Sequence, residues 1–270
     1  MGASTSSSVP CLSVDGASPA GVFQTVELLS SIILPHLQHS SSLSGCTVLL
    51  HGRAGSGKVT AVRAATRRLN LHLLKVDCVC VCADTPAASE VKLSAAFQRA
   101  AALQPCVLLL RNLQLLLAAG GGAEEDGRVQ AALCQLLHSA PRSVAVVATV
   151  CRPRQLSAGV VAAFVHQVAL ESPTEEQRRS MLVSLSRDLQ LGRDVNLERL
   201  SKLTAGLVLG DLRALLVEAG RAACRRLIQS CGGRRQEDLC SSGVTILNQD
   251  FSSALEALQD AQSTAIGAPK

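Results

Sequence analysis

Apolar positions along the chain change their rhythm twice. From Val22 to Leu37 they recur at the spacing of one helix face, which predicts a leading helix. Beyond the polar loop Ser40–Gly45 they arrive as short unbroken runs at Thr47–His51, Leu71–Val81, Cys106–Leu110 and Ser143–Thr149, with a last short one at Gln167–Leu170. Runs of this kind suit parallel strands buried on both faces. Helical spacing fills the gaps between them, at Lys58–Leu69, Ala88–Leu103 and Arg128–His138. From Pro173 onward the strands stop and only helices are predicted, at Glu175–Leu189, Leu197–Leu203, Gly210–Ile228 and Asp250–Thr264. Strands alternating with helices, then a helical tail, predict an α/β domain on a parallel sheet followed by a small helical lid, with the boundary near residue 172. Residues 1–20, rich in Ser, Gly, Ala and Pro, read as a disordered leader. Ala119–Gly127 reads as a mobile loop, and residues 230–243 as a Cys/Gly/Arg-rich loop.

The strand–turn–helix junction at residues 48–60 carries the first chemistry. It reads Val-Leu-Leu-His-Gly-Arg-Ala-Gly-Ser-Gly-Lys-Val-Thr, so Gly52, Arg53, Ala54, Gly55, Ser56, Gly57 and Lys58 form the phosphate-loop pattern G-x-x-x-x-G-K. Glycines let backbone N–H groups turn toward phosphate oxygens, the following helix adds its positive end, and the lysine supplies a point charge. The candidate nucleotide site therefore runs from Gly52 through Val59 and Thr60, with ATP as the expected ligand. Val59 stands where Ser or Thr holds Mg²⁺. Thr60 has a hydroxyl, but one helical step turns it by about 100°. A second departure follows the third apolar run. Phosphoryl-transfer sites place a carboxylate there, and here Leu110 runs into Arg111 and Asn112. A guanidinium neither binds Mg²⁺ nor accepts a proton. Glu124, Glu125 and Asp126 are the next acids, and they read as residues solvating the glycine-rich loop. No catalytic residue and no protein metal ligand is assigned. Mg²⁺ can enter only through phosphate oxygens and water.

Composition narrows the remaining choices. Hydrophobic residues make up 47% of the 270, while aromatics reach only 1%. The core must be Leu, Val and Ala, and stacking platforms for single-stranded nucleic acid are scarce. The charge of +5 is spread along the chain rather than gathered in a groove-like run. Eleven cysteines in a chain this long, without a signal peptide, fit reduced thiols. Cys78, Cys80 and Cys82 alternate through and just past the end of the second predicted strand, which would place all three on one face; without C-x-x-C pairs or a nearby His pattern they read as small apolar residues rather than metal ligands. No apolar run approaches the ~18 residues of a membrane span. Met1-Gly2-Ala3-Ser4-Thr5-Ser6 fits the loose myristoylation pattern, but a disordered Ser-rich leader, or a Met1 that is not the native start, is the favoured reading.

Together these residues resemble an AAA-type ATPase cassette. Ala88-Ser89-Glu90, Phe97, Ala100 and Pro105 resemble the segment before that family's third strand, and Val146-Val147-Ala148-Thr149 resembles its sensor-1 strand. Gly206-Leu207-Val208-Leu209-Gly210-Asp211-Leu212 is similar to its lid motif G-x-S-G-A-D-L, and Asp250-Phe251 with Ala254-Leu255 to its closing helix. Within the family, Leu71–Val76, Gly210–Leu216 and the ending Ile266–Lys270 look like a degenerate first cassette of the peroxisome-biogenesis branch. The resemblance implies a large subdomain over 21–172, a lid over 173–265 and, in 266–270, a linker toward a second cassette. It further implies a hetero-hexameric ring with a related peroxisomal AAA ATPase, a peroxisomal membrane anchor protein as docking partner and a ubiquitinated import receptor as substrate. The implied location is the cytosol and the cytosolic face of the peroxisomal membrane. Other family parts are missing: sensor-1 Asn is Val150 or Cys151, the arginine-finger region is Ala162-Ala163-Phe164, and Asp84-Thr85-Pro86-Ala87 lacks the pore aromatic. The expected function is thus ATP binding with little or no hydrolysis. An active P-loop ATPase or small kinase with a displaced acid, and a scaffold that has lost nucleotide, remain as alternatives.

Overall fold

The structure is a computed structural model that describes residues 20–38, 45–83, 85–117, 123–230 and 243–267. Five strands form its sheet: β1 (Thr47–His51), β2 (His72–Asp77), β3 (Cys106–Arg111), β4 (Val144–Val150) and β5 (His166–Ala169). They lie in the order β2-β3-β4-β1-β5, and every pairing is parallel. The α/β class expected from the alternating runs is the architecture found.

The helices preceding the tail are α1 (Phe23–Gln38), α2 (Lys58–Arg68), α3 (Cys78–Val81), α4 (Pro86–Ala102), α5 (Leu113–Leu117), α6 (Ala123–Ser139) and α7 (Ala158–Ala162). They cover both faces of the sheet, which explains the unbroken apolar runs. Leu108, Leu110, Val146 and Ala148 face Leu93, Phe97, Leu133 and Leu137 of α4 and α6. Their neighbours Val107, Leu109, Ala145 and Val147 face Val26, Leu29, Ile33, Ala61 and Val62 of α1 and α2. Each of these strand residues is buried, and the two-residue period sends alternate side chains into different cores. A fully buried Leu or Val contributes about 1.5–3 kcal/mol of transfer free energy.

The tail contains α8 (Glu175–Leu185), α9 (Leu197–Leu203), α10 (Leu209–Ser230) and α11 (Asn248–Gly267). It has a core of its own, built on Met181, Leu182, Leu200, Leu212, Leu215, Ala219, Phe251 and Ala254. Arg226 and Asp250 tie α10 to α11 at 3.0 Å, and Asp250 also accepts from the Leu247 amide at 2.9 Å.

Three expectations need correction. The second strand ends at Asp77, and Cys78–Val81 is a helical turn. Asp77 stops the strand because its carboxylate accepts from the Val79 amide at 3.3 Å, an N-cap that starts a helix. The cysteine alternation is therefore broken: Cys78 is buried, Cys80 exposed and Cys82 between the two. The stretch read as a loop through Gly127 is already helical from Ala123, because Val129 and Leu133 anchor α6 in the core and its first turn extends backward from them. The helix expected over Glu175–Leu189 stops at Leu185, with Ser186 closing it. Residues 1–19 of the predicted leader, including Gly2, lie outside the described residues, as do 39–44, covering most of the predicted polar loop, Asp84, 118–122, 231–242 and 268–270 and the side chains of Ala123, Glu124, Glu125 and Asp126.

Candidate nucleotide-binding site

β1 sits inside the sheet, between β4 and β5, and delivers Gly52 to the carboxyl edge where α2 begins. The Gly52 amide donates to the Val150 carbonyl at 3.3 Å, which moors the turn to β4. Gly57 caps α2 at φ 99 and ψ 15, a left-handed conformation that side-chain-bearing residues rarely adopt. A Cβ there would also lie 3.0 Å from Leu209 Cδ2 and 3.1 Å from Val22 Cγ1. Gly55, at φ 75, is crowded in the same way: its Cβ would lie 3.2 Å from Val208 Cγ2. The turn is thus packed so closely against Val22, Val208 and Leu209 that side chains at Gly55 and Gly57 would press into them.

The first intrahelical bond of α2 runs from the Ala61 amide to the Gly57 carbonyl at 2.8 Å. The amides of Lys58, Val59 and Thr60 precede it and have no helical acceptor. They are the donors an anion at this helix end would use. Lys58 Nζ donates to the Gly52 carbonyl at 2.5 Å and to the Arg53 carbonyl at 2.8 Å, so its ammonium is folded over the turn it would share with phosphate. Burial lowers the Lys58 pKa from its ordinary value, and Cys151 at the end of β4 acts in the opposite direction. Ser56 is buried, and its hydroxyl has no hydrogen-bond partner. A polar atom left bare in the middle of a glycine cradle fits a site built for a polar ligand. Arg53 and Ala54 are exposed, and Arg53 Nη1 donates to the Gly206 carbonyl at 3.0 Å.

The helical tail closes directly onto this turn. The Gly210 amide donates to the Gly55 carbonyl at 2.8 Å, and a Cβ on Gly210 would lie 3.0 Å from Gly55 Cα. Two backbones meet at glycine on both sides. The start of α10 is therefore fixed against the phosphate turn through main-chain atoms.

The metal side is different. Val59 packs against the α1–α2 core, so its side chain is committed to the interior. At the end of β3, parallel register sets Arg111 beside Asp77. Arg111 Nη1 lies 3.4 Å from Asp77 Oδ2, and Asn112 Nδ2 donates to Asp77 Oδ1 at 3.4 Å. Asn112 takes φ 56, and its amide donates to Thr149 Oγ1 at 3.2 Å. A carboxylate does stand beside the third strand, then, supplied by the neighbouring strand. Both of its oxygens are engaged by Arg111, Asn112 and Val79. Mg²⁺ ligation by protein side chains does not fit: one candidate is a half-buried valine with no ligating atom, another a guanidinium, and the carboxylate beside them is neutralised. Among the described residues there is no group of three or more His, Cys, Asp or Glu placed to hold a metal. Val150, at the sensor position, is buried, Cys151 is half-buried, and Phe164 packs in the α4–α6 core.

Residues 48–172 match the model of the ATPase family associated with various cellular activities (AAA), and residues 194–240 match the AAA+ lid domain. The chain belongs to the AAA family. The first match spans all of this cassette's strands except Thr47, and the second covers α9 and α10. Peroxisomal ATPase PEX6 of Cricetulus griseus is 46% identical over 268 residues, covering 95% of this chain and 27% of that protein. The Homo sapiens protein of that name is 44% identical over 266 residues, with 94% and 27% covered. Ribosome biogenesis ATPase RIX7 of Saccharomyces cerevisiae is 27% identical over 194 residues, with 68% and 23% covered. The cassette spans about a quarter of the length of the PEX6 relatives.

Sequence reasoning missed three parts of the site. Asp77 lay inside the run read as one strand over Leu71–Val81, and only the sheet register brings it to Arg111. Val22 and Leu209 crowd Gly57 from distant segments, and no local pattern announces that contact. Cys151 was named at the sensor position, but its electrostatic effect on Lys58 was not foreseen.

Proposed function

We propose that this AAA cassette binds ATP at Gly52–Thr60, hydrolyses it poorly or not at all, and serves as a supporting element of a hetero-hexameric AAA ring. The observation that carries the reading is the contrast between the two halves of the site. The glycine turn, the free amides of α2 and Lys58 are in place, while β3 ends in Arg111 and Asn112 with Asp77 tied between them. Residues 21–172 act as the large subdomain, 173–265 as the lid and 266–270 as the start of a linker to another cassette. The likeness to PEX6 supports a role in peroxisome biogenesis. In that role the ring pairs this protein with a related peroxisomal AAA ATPase, docks on a membrane anchor protein and extracts the ubiquitinated import receptor. It works from the cytosol at the peroxisomal surface. No helix among the described residues is long and apolar enough to cross a membrane, so attachment through a partner suits the chain.

ATP, when bound, supplies the anionic tail. The chain's residues supply amides, one ammonium and exclusion of water by the start of α10. The test is steady-state phosphate release by the purified chain, with Lys58→Ala alongside. Release at background in both supports the reading. Several turnovers per second lost on Lys58→Ala would instead assign an active ATPase.

A further inference from the structure

β2 forms one edge of the sheet, and it bonds to β3 alone. Its α2-facing side carries Leu73, Lys75 and Asp77, because Leu74 and Val76 point into the opposite core. β3 places Arg111 on that same side, next to Asp77. α2 lies over these strands and adds Arg63 and Arg67, one turn apart and both exposed. Lys75 is exposed as well. Four cations therefore gather at one sheet edge around a single acid. That acid, Asp77, is already engaged by Arg111, Asn112 and Val79. Arg63, Arg67 and Lys75 have no ion pair among the described residues, whereas Arg68, the next residue on α2, is paired with Glu27. Burial and the charges of Arg63, Arg111 and Arg67 together lower the Lys75 pKa, so the side chains feel one another.

A lysine on an edge strand discourages pairing with another chain. Two more arginines and a third crowded beside it go further, since like charges held together cost free energy that an anionic partner would relieve. The unpaired edge says what shape that partner has. An extended segment can bond to the outer amides and carbonyls of β2, and its side chains then alternate between the sheet's two faces. Every second one would meet the cations, and those between would run along the side of Leu74 and Val76. Nucleic acid fits less well, because aromatic residues are nearly absent and bases would find no platform. A flat headgroup layer cannot reach the strand's backbone.

We propose that the outer edge of β2 docks an extended acidic segment of a partner protein, carboxylates alternating with apolar residues, held by Lys75, Arg63 and Arg67. The site is separate from the phosphate turn, and its test does not depend on nucleotide binding.

The experiment titrates a fluorescent peptide of alternating Glu and Val into the full chain, read by anisotropy and by hydrogen exchange at β2. Controls are a peptide of the same composition with its Glu and Val in separate blocks, an alternating Lys and Val peptide, heparin, and phosphatidylserine vesicles. The alternating acidic peptide is expected to bind and to protect β2 amides. Arg67→Glu with Lys75→Glu is expected to weaken it at least tenfold and to shift preference to the lysine peptide. Circular dichroism checks the fold of that variant, and the single change Lys75→Gln, expected to act in the same direction, guards against misfolding. Equal binding of the blocked peptide without β2 protection would overturn strand docking. So would binding of heparin or vesicles alone, or no peptide binding at millimolar concentration.

Discussion

Asp77 concentrates the residue-scale logic of this molecule. It ends β2, caps α3 and neutralises the guanidinium where the family places a carboxylate. These duties differ in weight. The Arg111 side chain is 41% exposed, so its ion pair contributes less than about 1 kcal/mol after solvent screening. The cap contributes about 1 kcal/mol by itself. Asp77→Ala should therefore lower the unfolding free energy by about 1–2 kcal/mol, and Arg111→Ala by less than about 1, in urea titrations. Equal effects would assign the stabilisation to the ion pair. The same residues decide the chemistry. Val59→Thr combined with Arg111→Asp and Asn112→Glu restores the two metal-binding types and the carboxylate that polarises the attacking water. If missing ligands are the sole block, phosphate release should become Mg²⁺-dependent. No gain would point to the sensor and arginine-finger positions, where Val150, Cys151 and Ala162–Phe164 stand.

Among the elements, the tail helices depend on one aromatic residue. Phe251 is 1% exposed and holds α11 against the core built by α8, α9 and α10. Phe251→Ala should cost about 3–5 kcal/mol, the usual loss for a large buried side chain leaving a cavity. Chemical denaturation followed by circular dichroism measures it, and a loss under about 1 kcal/mol would contradict the packing described here. Because α10 starts at the phosphate turn, loosening it should also weaken nucleotide binding. Most elements were legible beforehand for a physical reason. Strands buried on both faces leave unbroken apolar runs, so Thr47–His51 and Cys106–Leu110 could be read almost to the residue. The Leu71–Val81 run misled because Cys and Val at 78–81 suit a buried helix turn as well as a strand, and the Asp77 cap decides between them. The phosphate turn was legible because its conformation demands glycine. The contacts of Leu209 and Gly210 with it join segments about 150 residues apart, that of Val22 reaches back to the leading helix, and nothing in any of these segments signals the others.

At the scale of the whole molecule, one polar contact joins the leading helix to the far edge of the sheet. His36 Nε2 lies 3.2 Å from His166 Nε2, with the rings edge to face. Burial, and then the nearness of His36, lowers the His166 pKa below the ordinary histidine value. The folded chain therefore prefers His166 neutral, while the unfolded chain takes up the proton below about pH 6.5. This contribution is complete above that value and declines as pH falls toward the folded pKa. Urea midpoints should fall as pH is lowered below about 6.5, and His166→Gln should shrink the fall. An unchanged pH dependence in that variant would show that other groups carry it.

Isothermal titration of ATP into the purified chain tests the central claim most directly. A cradle of amides with one lysine predicts saturable micromolar binding that survives EDTA, since no protein side chain is asked to hold the metal, and that disappears in Lys58→Ala. Absence of heat with both ATP and ADP at millimolar concentration would contradict the account and leave the turn a structural remnant of its family.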